Sequence, residues 1–265
     1  ALAHTLMAQW PSYPLSGAPR KADGTINMTA PAPKTADGKP DLSGVWNRAT
    51  PPPGFTAPRG TVGLVPFQNL PALLPDGLPL KLEAAEIRAK RLANNSKDHP
   101  DANCLPLHPF QLHSHPQPRK LVQTPTELVM IYESNNGLRQ VFMDGRTLPK
   151  DDVQPWWYGY SVGKWDGDTL VVDTANYSDK NWMHAEGDVS FHSDALHVVE
   201  RYTPMGANHI LYEATIEDPT LFSRPWKISM PLYRKVEPNA EIYEYKCVEF
   251  AEPLMYGDLL KDPIK

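Results

Sequence analysis

The stretch Gly159-Tyr-Ser-Val-Gly-Lys-Trp-Asp-Gly-Asp-Thr-Leu-Val-Val172 decides the fold class. Residues 160–165 and 169–174 are rich in β-forming side chains, and they flank the dipeptide Asp166-Gly167. Asp-Gly between two such runs favours a two-residue hairpin turn, because that turn needs residues that tolerate positive φ. The stretch therefore predicts two antiparallel strands joined by a tight turn.

Runs of the same character continue on both sides of this hairpin. Upstream, two runs are joined through Asn135-Asn136-Gly137, and a short strand is expected near the start of the domain; these segments are 42–46, 127–133 and 139–143. Downstream, strands are expected near 192–203, 208–217, 225–234 and 241–248. About eight to ten short strands at this spacing predict an all-β fold, either an antiparallel barrel or a sandwich.

Proline shapes the rest of the chain. The 265 residues include 29 prolines, about twice the usual share of ~5%. Because proline lacks a backbone N–H and fixes φ, its clusters exclude long helices and central strands. Residues 1–40 are therefore expected to form an extended arm, with turns at 21–25 and 35–39, and 50–80 a wrapping loop. The remainder, 41–265, is expected to be one β domain with a short helix at about 80–94.

Composition excludes several classes of partner. The net charge of −5 gives no electrostatic basis for binding nucleic acid. No apolar run approaches the roughly 18 residues that a membrane-spanning helix needs. No phosphate-binding loop or dinucleotide fingerprint is present, which argues against nucleotide chemistry. We expect a small-molecule ligand, and the oligomeric state is left open.

Two cysteines, Cys104 and Cys247, suggest a disulfide. The opening residues Ala1-Leu2-Ala3 resemble the small-residue end of a signal peptide, which favours a periplasmic or secreted protein over an arbitrary boundary. Thiols in an exported protein pair readily, and closing so long a loop would stabilise the fold by roughly 4–5 kcal/mol. The alternative is two buried free thiols in a cytoplasmic protein.

Several phrases resemble a family of uncharacterised, exported bacterial proteins. They span about 30 to 250 and are Ala36-Asp-Gly-Lys-Pro-Asp-Leu-Ser-Gly-Val-Trp46, Cys104-Leu-Pro106, Val122-Gln-Thr-Pro125, Arg139-Gln140, Asp144-Gly-Arg-Thr-Leu-Pro149, the hairpin 159–172 and His192-Ser-Asp-Ala-Leu-His197. The resemblance implies export and no established reaction. The chain departs from the family at Leu107-His-Pro-Phe-Gln-Leu-His-Ser-His115, where relatives tend to have a plain Gly-Pro stretch. Gly44-Val45-Trp46 also resembles the first strand of lipocalin-like barrels, in which a Trp plugs one end.

Acid–base chemistry is expected at His192 and Asp194. On a regular strand through 192–196 these two side chains share a face, and a His beside a carboxylate can carry a proton near neutral pH. Tyr160 or Arg201 would polarise a substrate oxygen, and Glu200 either joins this site or pairs with Arg201 outside. The alternative is a structural hydrogen-bond cluster. His192-Ser193-Asp194 is not a hydrolase triad, since no nucleophile elbow is present.

Aromatic side chains cluster between 156 and 182 and predict a ligand cavity. The candidate ligand-binding residues are Trp156, Trp157, Tyr158, Trp182, His184 and His197. Such rings suit an organic or sugar-like molecule. They are equally the expected filling of a β core.

A metal site is a further hypothesis. On an extended strand, His113 and His115 project from one face and can reach one ion, with His184, His192 or Asp194 as a third ligand. Such a site would suit zinc or copper. The alternative is a surface loop with solvated histidines, and then no cofactor is expected.

Together these features predict an exported β-barrel protein that binds a small organic molecule in an aromatic-lined cavity. Acid–base chemistry of lyase or isomerase type is one hypothesis for its function. A pure ligand-binding protein, or a metal-dependent enzyme that uses the loop from His108 to His115, is the alternative.

Overall fold

A closed β-barrel forms the body of the protein. The computed structural model describes residues 18–48 and 77–247, apart from 95, 97, 151–152, 185–189, 238–239 and 245–246. The strands are β1 (Gly44–Asn47), β2 (Arg119–Gln123), β3 (Glu127–Tyr132), β4 (Leu138–Phe142), β5 (Tyr160–Asp166), β6 (Thr169–Ala175), β7 (Trp182–His184), β8 (Ser190–Phe191), β9 (His197–Gly206), β10 (His209–Glu217) and β11 (Trp226–Arg234). The predicted all-β class is confirmed, and of its two forms the barrel is the one observed.

Nine of these strands follow one another around the barrel in the order β1-β11-β10-β9-β6-β5-β4-β3-β2. β1 pairs with both β11 and β2, so the sheet closes on itself. The pairs are antiparallel except for a short parallel contact between β4 and β5. β7 and β8 form a separate two-stranded sheet. The predicted hairpin is β5–β6, paired from Tyr160↔Ala175 to Asp166↔Thr169.

Two α-helices accompany the barrel, α1 (Leu82–Ala93) and α2 (Pro109–Ser114), and short 3₁₀ turns lie at Pro100–Asn103 and Ser134–Asn136. α1 lies within the range that its periodicity predicts, but fewer of its apolar side chains are buried than that periodicity suggests. Ala84 is its buried residue, whereas Ile87 and Leu92 are exposed. Neither helix in the described ranges is long and apolar enough to cross a membrane.

The described part of the N-terminal arm lies on the barrel. Its two Asp-Gly pieces form the expected turns, with Gly24 and Gly38 at φ of 82° and 78°. The arm is held by main-chain hydrogen bonds, for example from the Ala207 N–H to the Ala30 carbonyl at 3.0 Å. The loop predicted at 50–80 lies outside the described residues except for 77–80.

Trp46 and Arg234 pack together where β1 meets β11. The indole is 1% exposed, its Nε1–H donates to the Leu42 carbonyl at 2.9 Å, and the Arg234 guanidinium lies 4.2 Å from the ring centroid. Arg234 also donates to the carbonyls of Ala207 and Ser43, each at 2.7 Å. Gly44 makes room for this side chain, because a Cβ there would lie 2.0 Å from Arg234 Nη1.

Gly44→Ala should therefore destabilise the fold by about 2–3 kcal/mol, through the clash with Arg234 and the strain of a non-glycine residue at φ of 138°. Urea-induced equilibrium unfolding measures this loss. Gly38→Ala is the matched control, since Gly38 also has positive φ but has no atom within 4 Å of the added Cβ. Equal losses for the two variants would contradict the packing role of Gly44.

The predicted disulfide is present and attaches the C-terminal segment to the barrel. Cys104 and Cys247 are bonded, with their Cα atoms 5.5 Å apart. The strand predicted at 241–248 is wrong for residues 241–244, which lie on the barrel without joining a sheet. Lys120 pairs with Glu241 at 2.9 Å, and the Tyr243 N–H donates to Glu133 Oε2 at 2.9 Å. These side-chain contacts replace the strand ladder that the sequence suggested.

Candidate functional site

A band of polar side chains crosses the interior of the barrel. Side chains on a strand alternate between its two faces, so Glu200 and Tyr202 of β9 point inward while Arg201 points outward. The other inward-facing members of the band are Arg139 on β4, Ser161 on β5, Thr174 on β6 and Tyr212 on β10. A polar band in the middle of an otherwise apolar core is the first indication of a site.

Arg139 and Glu200 form a fully buried ion pair, each 1% exposed. Arg139 Nη1 donates to Glu200 Oε1 at 3.0 Å, and Nη2 donates to Oε2. Ser161 and Thr174 accept further hydrogen bonds from the guanidinium, at 3.2 and 2.9 Å. Burial alone would lower the pKa of Arg139, but the Glu200 carboxylate raises it well above its usual value. The pair therefore stays ionised.

Tyrosine hydroxyls surround the carboxylate. Tyr202 and Tyr212 donate to Glu200 Oε1 at 3.1 and 2.9 Å. Burial, reinforced by the negative charge of Glu200, raises the pKa of both phenols well above their usual value. Burial likewise raises the pKa of Tyr132 to about 12. All three phenols are neutral at physiological pH and act as hydrogen-bond donors.

Helix α2 brings His113 into this band. His113 is fully buried, and its Nε2 lies 3.1 Å from the hydroxyls of both Tyr132 and Tyr202. Burial lowers the pKa of His113 well below its usual value, and the charges of Arg119 and Arg139 lower it further. The imidazole is therefore neutral and can accept a proton.

Local chemistry explains why α2 forms and where it ends. Pro109 occupies the first helical position, where its missing N–H is no loss, and His108 caps the helix by accepting from the Phe110 N–H at 3.2 Å. At the other end, Arg48 Nη1 donates to the Ser114 carbonyl at 2.9 Å and Arg119 Nη1 donates to the His113 carbonyl at 3.3 Å. Cations at a helix C-terminus offset its partial negative charge.

Polar atoms without a hydrogen-bond partner gather around α2. Four buried examples from the described residues are His108 Nε2, Gln111 Oε1, His113 Nδ1 and Arg119 Nε. Leaving a buried polar group unpaired costs about 1–3 kcal/mol. Most buried polar groups in proteins are paired with protein or with ordered water, so these four atoms are available to hydrogen-bond to water or to another molecule.

His192 lies beside His108, with the ring centroids 4.8 Å apart. Its Nδ1 lies 2.9 Å from the Ser193 carbonyl and its Nε2 lies 2.9 Å from Asn181 Oδ1. Burial lowers the pKa of His192, while the hydrogen bond to Ser193 and the Asp218 carboxylate oppose that shift. Burial lowers the pKa of His108 well below its usual value, and the charge of His192 adds to the effect. The two adjacent imidazoles thus differ in how readily they hold a proton.

The residues predicted for acid–base chemistry do not meet in one place. β8 ends at Phe191, so the regular strand expected through 192–196 is wrong, and Asp194 is exposed while His192 is buried. Arg201 pairs with Asp166 at 2.9 Å on the outer face. Tyr160 donates its hydroxyl to the Gln154 carbonyl at 2.9 Å, at the surface. Of the four, His192 is the one that the structure places beside the interior band.

The predicted ligand-binding residues are dispersed as well. Trp156 is 41% exposed and stacks on Tyr160, with ring centroids 4.2 Å apart. Trp182 is buried between Arg91, whose guanidinium lies 4.2 Å from its ring, and His99. The remaining members are the partly buried Trp157 and Tyr158, His184 at the end of β7, and His197, which pairs with Asp173 at 2.6 Å outside the barrel.

The extended geometry assumed for a metal site at His113 and His115 is wrong. Helix α2 turns His113 into the barrel, whereas His115 follows the helix and its Nδ1 lies 3.0 Å from Ser134 Oγ. Within the described ranges, no group of three or more His, Cys, Asp or Glu side chains could hold a metal ion.

Fold and site together define a closed β-barrel protein with a buried, polar, partly unsatisfied interior. No family model, no curated protein and no solved structure matches the chain.

Proposed function

We propose that the protein is an exported β-barrel that binds a small polar organic molecule inside the barrel, beside α2. The observation that carries this proposal is a pair of fully buried imidazole nitrogens, His108 Nε2 and His113 Nδ1, that have no hydrogen-bond partner among the described residues. A ligand that hydrogen-bonds to them would remove a cost of about 1–3 kcal/mol for each nitrogen. The disulfide supports export, because such bonds persist in oxidising compartments.

Acid–base chemistry on the bound molecule is part of the proposal. Burial lowers the pKa values of His108 and His113, so both imidazoles are neutral at physiological pH. Because His108 Nδ1 accepts the Phe110 N–H, its Nε2 carries the ring proton and is a donor. The proton acceptor in this proposal is His113 Nδ1, with Nε2 donating to a tyrosine hydroxyl.

The neutral hydroxyl of Tyr132, next to His113, is a donor, whereas the hydroxyl proton of Tyr202 is donated to Glu200. Isomerisation and elimination require a base that removes a proton and an acid that donates one, and a neutral imidazole beside a phenol can supply both. In this form His113 takes the role of base that the sequence suggested for His192 and Asp194, and His108 donates a hydrogen bond to the bound molecule.

The substitution His108→Asn tests the binding site. Asn keeps an N-cap acceptor for α2 but removes Nε2, so we expect the free energy of unfolding to change by less than about 1 kcal/mol. The amount of bound compound should fall at least about tenfold, the loss expected when one buried hydrogen bond is removed. The readout is mass spectrometry of small molecules released by denaturing protein that was purified from its native host.

His197→Asn is the matched control, since His197 lies outside the barrel and pairs with Asp173. The control should retain as much compound as the unaltered protein. Absence of any stoichiometric compound in the unaltered protein, or equal retention by the His108 variant, would contradict the proposed function. Once the compound is known, its exchange of C–H protons in deuterated water with the protein present separates a catalyst from a pure binding protein.

A further inference from the structure

Charge in the interior beside α2 is unbalanced. Three guanidiniums, those of Arg48, Arg119 and Arg139, are buried there with 5%, 0% and 1% exposure. In the part of the chain that the structure describes, Glu200 is the one carboxylate within 4.0 Å of the Arg119 or Arg139 guanidinium, and it is bound to Arg139. The ion pair thus accounts for one positive charge and leaves that of Arg119 without a counter-charge.

Among the described residues, the hydrogen bonds of Arg119 all go to main-chain oxygens. Nη1 donates to the His113 carbonyl at 3.3 Å, and Nη2 donates to the carbonyls of His115 and Gln117 at 3.2 and 3.1 Å. Nε has no partner. Carbonyl dipoles at the end of α2 offset a guanidinium charge in part, but they do not neutralise it. Burying a charge without a counter-ion is costly, which makes this position receptive to an anion.

The positive charge of Arg119 affects the groups around it. It adds to burial in lowering the pKa of His113, whose Nδ1 is one of the unpaired atoms. It also adds to burial in lowering the pKa of Arg48 to about 10. The positive potential therefore covers the C-terminal end of α2, where His113 Nδ1 and Arg119 Nε lie, whereas His108 caps the opposite end.

We propose that the ligand of the barrel is a small organic carboxylate, bound with its carboxylate against Arg119. This inference rests on the proposed function and specifies its ligand class. Nη1 and Nη2 of Arg119 already donate to carbonyls, so the Nε–H is the group that would donate one charge-assisted hydrogen bond to the carboxylate. Leu121 and Met130, paired across β2 and β3 on the same inward face, supply apolar surface for the organic part.

Matched pairs of acids and amides test the inference in the unaltered protein. The probes are benzoate with benzamide and butyrate with butyramide, and calorimetric titration measures their dissociation constants. We expect at least one acid to bind about tenfold or more tightly than its amide, the preference that one charge-assisted hydrogen bond produces. Since this comparison uses the unaltered chain, it does not depend on the folding of any variant.

Arg119→Gln should abolish the preference for the acid, whereas Arg201→Gln, on the outer face, should preserve it. The inference is overturned if neither acid binds more tightly than its amide, or if the preference survives Arg119→Gln. A neutral compound retained by the native protein would overturn this inference and leave the proposed function standing. Absence of any retained compound would instead remove the proposed function itself.

Discussion

Glu200→Gln is expected to destabilise the protein by about 3–5 kcal/mol, because it leaves the Arg139 guanidinium buried without a counter-charge. The carboxylate also accepts hydrogen bonds from the hydroxyls of Tyr202 and Tyr212. An amide has one acceptor oxygen, so it can accept only some of the hydrogen bonds that the carboxylate accepts. Equilibrium unfolding in guanidinium chloride measures the loss. The double variant Arg139→Met with Glu200→Leu should recover much of it, since apolar replacement removes both charges together.

Asp166→Asn is the control for this experiment. It breaks the exposed ion pair between Asp166 and Arg201, which has a similar distance of 2.9 Å but lies in water. Exposed pairs contribute about 0–1 kcal/mol, so the control should lose far less stability. If Glu200→Gln cost no more than Asp166→Asn, the interior pair would not be desolvated as the structure describes it.

Loss of the disulfide has the other large expected effect. Cys104→Ser with Cys247→Ser should lower the free energy of unfolding by roughly 4–5 kcal/mol, because the unfolded chain regains the freedom of a loop of 143 residues. Hydrogen exchange should accelerate at residues 240–244, which the bond holds on the barrel. Unreduced native protein should contain no titratable thiol.

The control is the unaltered protein after reduction, which should match the double variant in stability. A double variant within about 1 kcal/mol of the oxidised protein would mean that the C-terminal segment is held by its other contacts, such as Lys120 with Glu241.

Local sequence signals predicted the parts of the fold that depend on near neighbours. The β5–β6 hairpin follows from Asp166-Gly167 and two β-rich runs, and helix α1 follows from its periodicity. Helix α2 was missed, although Pro109 after the capping His108 is a helix-start signal. The surrounding prolines favoured a loop. The sequence therefore predicted His113 on an extended segment, whereas α2 places it in the barrel interior.

The other differences between the sequence-based predictions and the structure result from long-range contacts. Ser193 leaves the strand path because its N–H and hydroxyl both donate to Asp218, at 2.7 and 2.9 Å. That contact joins residues 25 positions apart and separates Asp194 from His192. The pairing of Arg139 with Glu200 spans 61 positions and depends on barrel closure. The alternation of side chains along β9 could have predicted that Glu200 points into the barrel, because Glu200 shares a face with Val198 and Tyr202 and not with Arg201.

The central claim is that a small molecule completes the hydrogen bonding of the barrel interior beside α2. A crystal structure of the protein purified from its native host, at a resolution that distinguishes a small organic molecule from water, tests it most directly. We expect non-protein density within about 3 Å of His108 Nε2 or His113 Nδ1, larger than a single water. Density showing both nitrogens paired with protein groups, or with isolated waters alone, would contradict it.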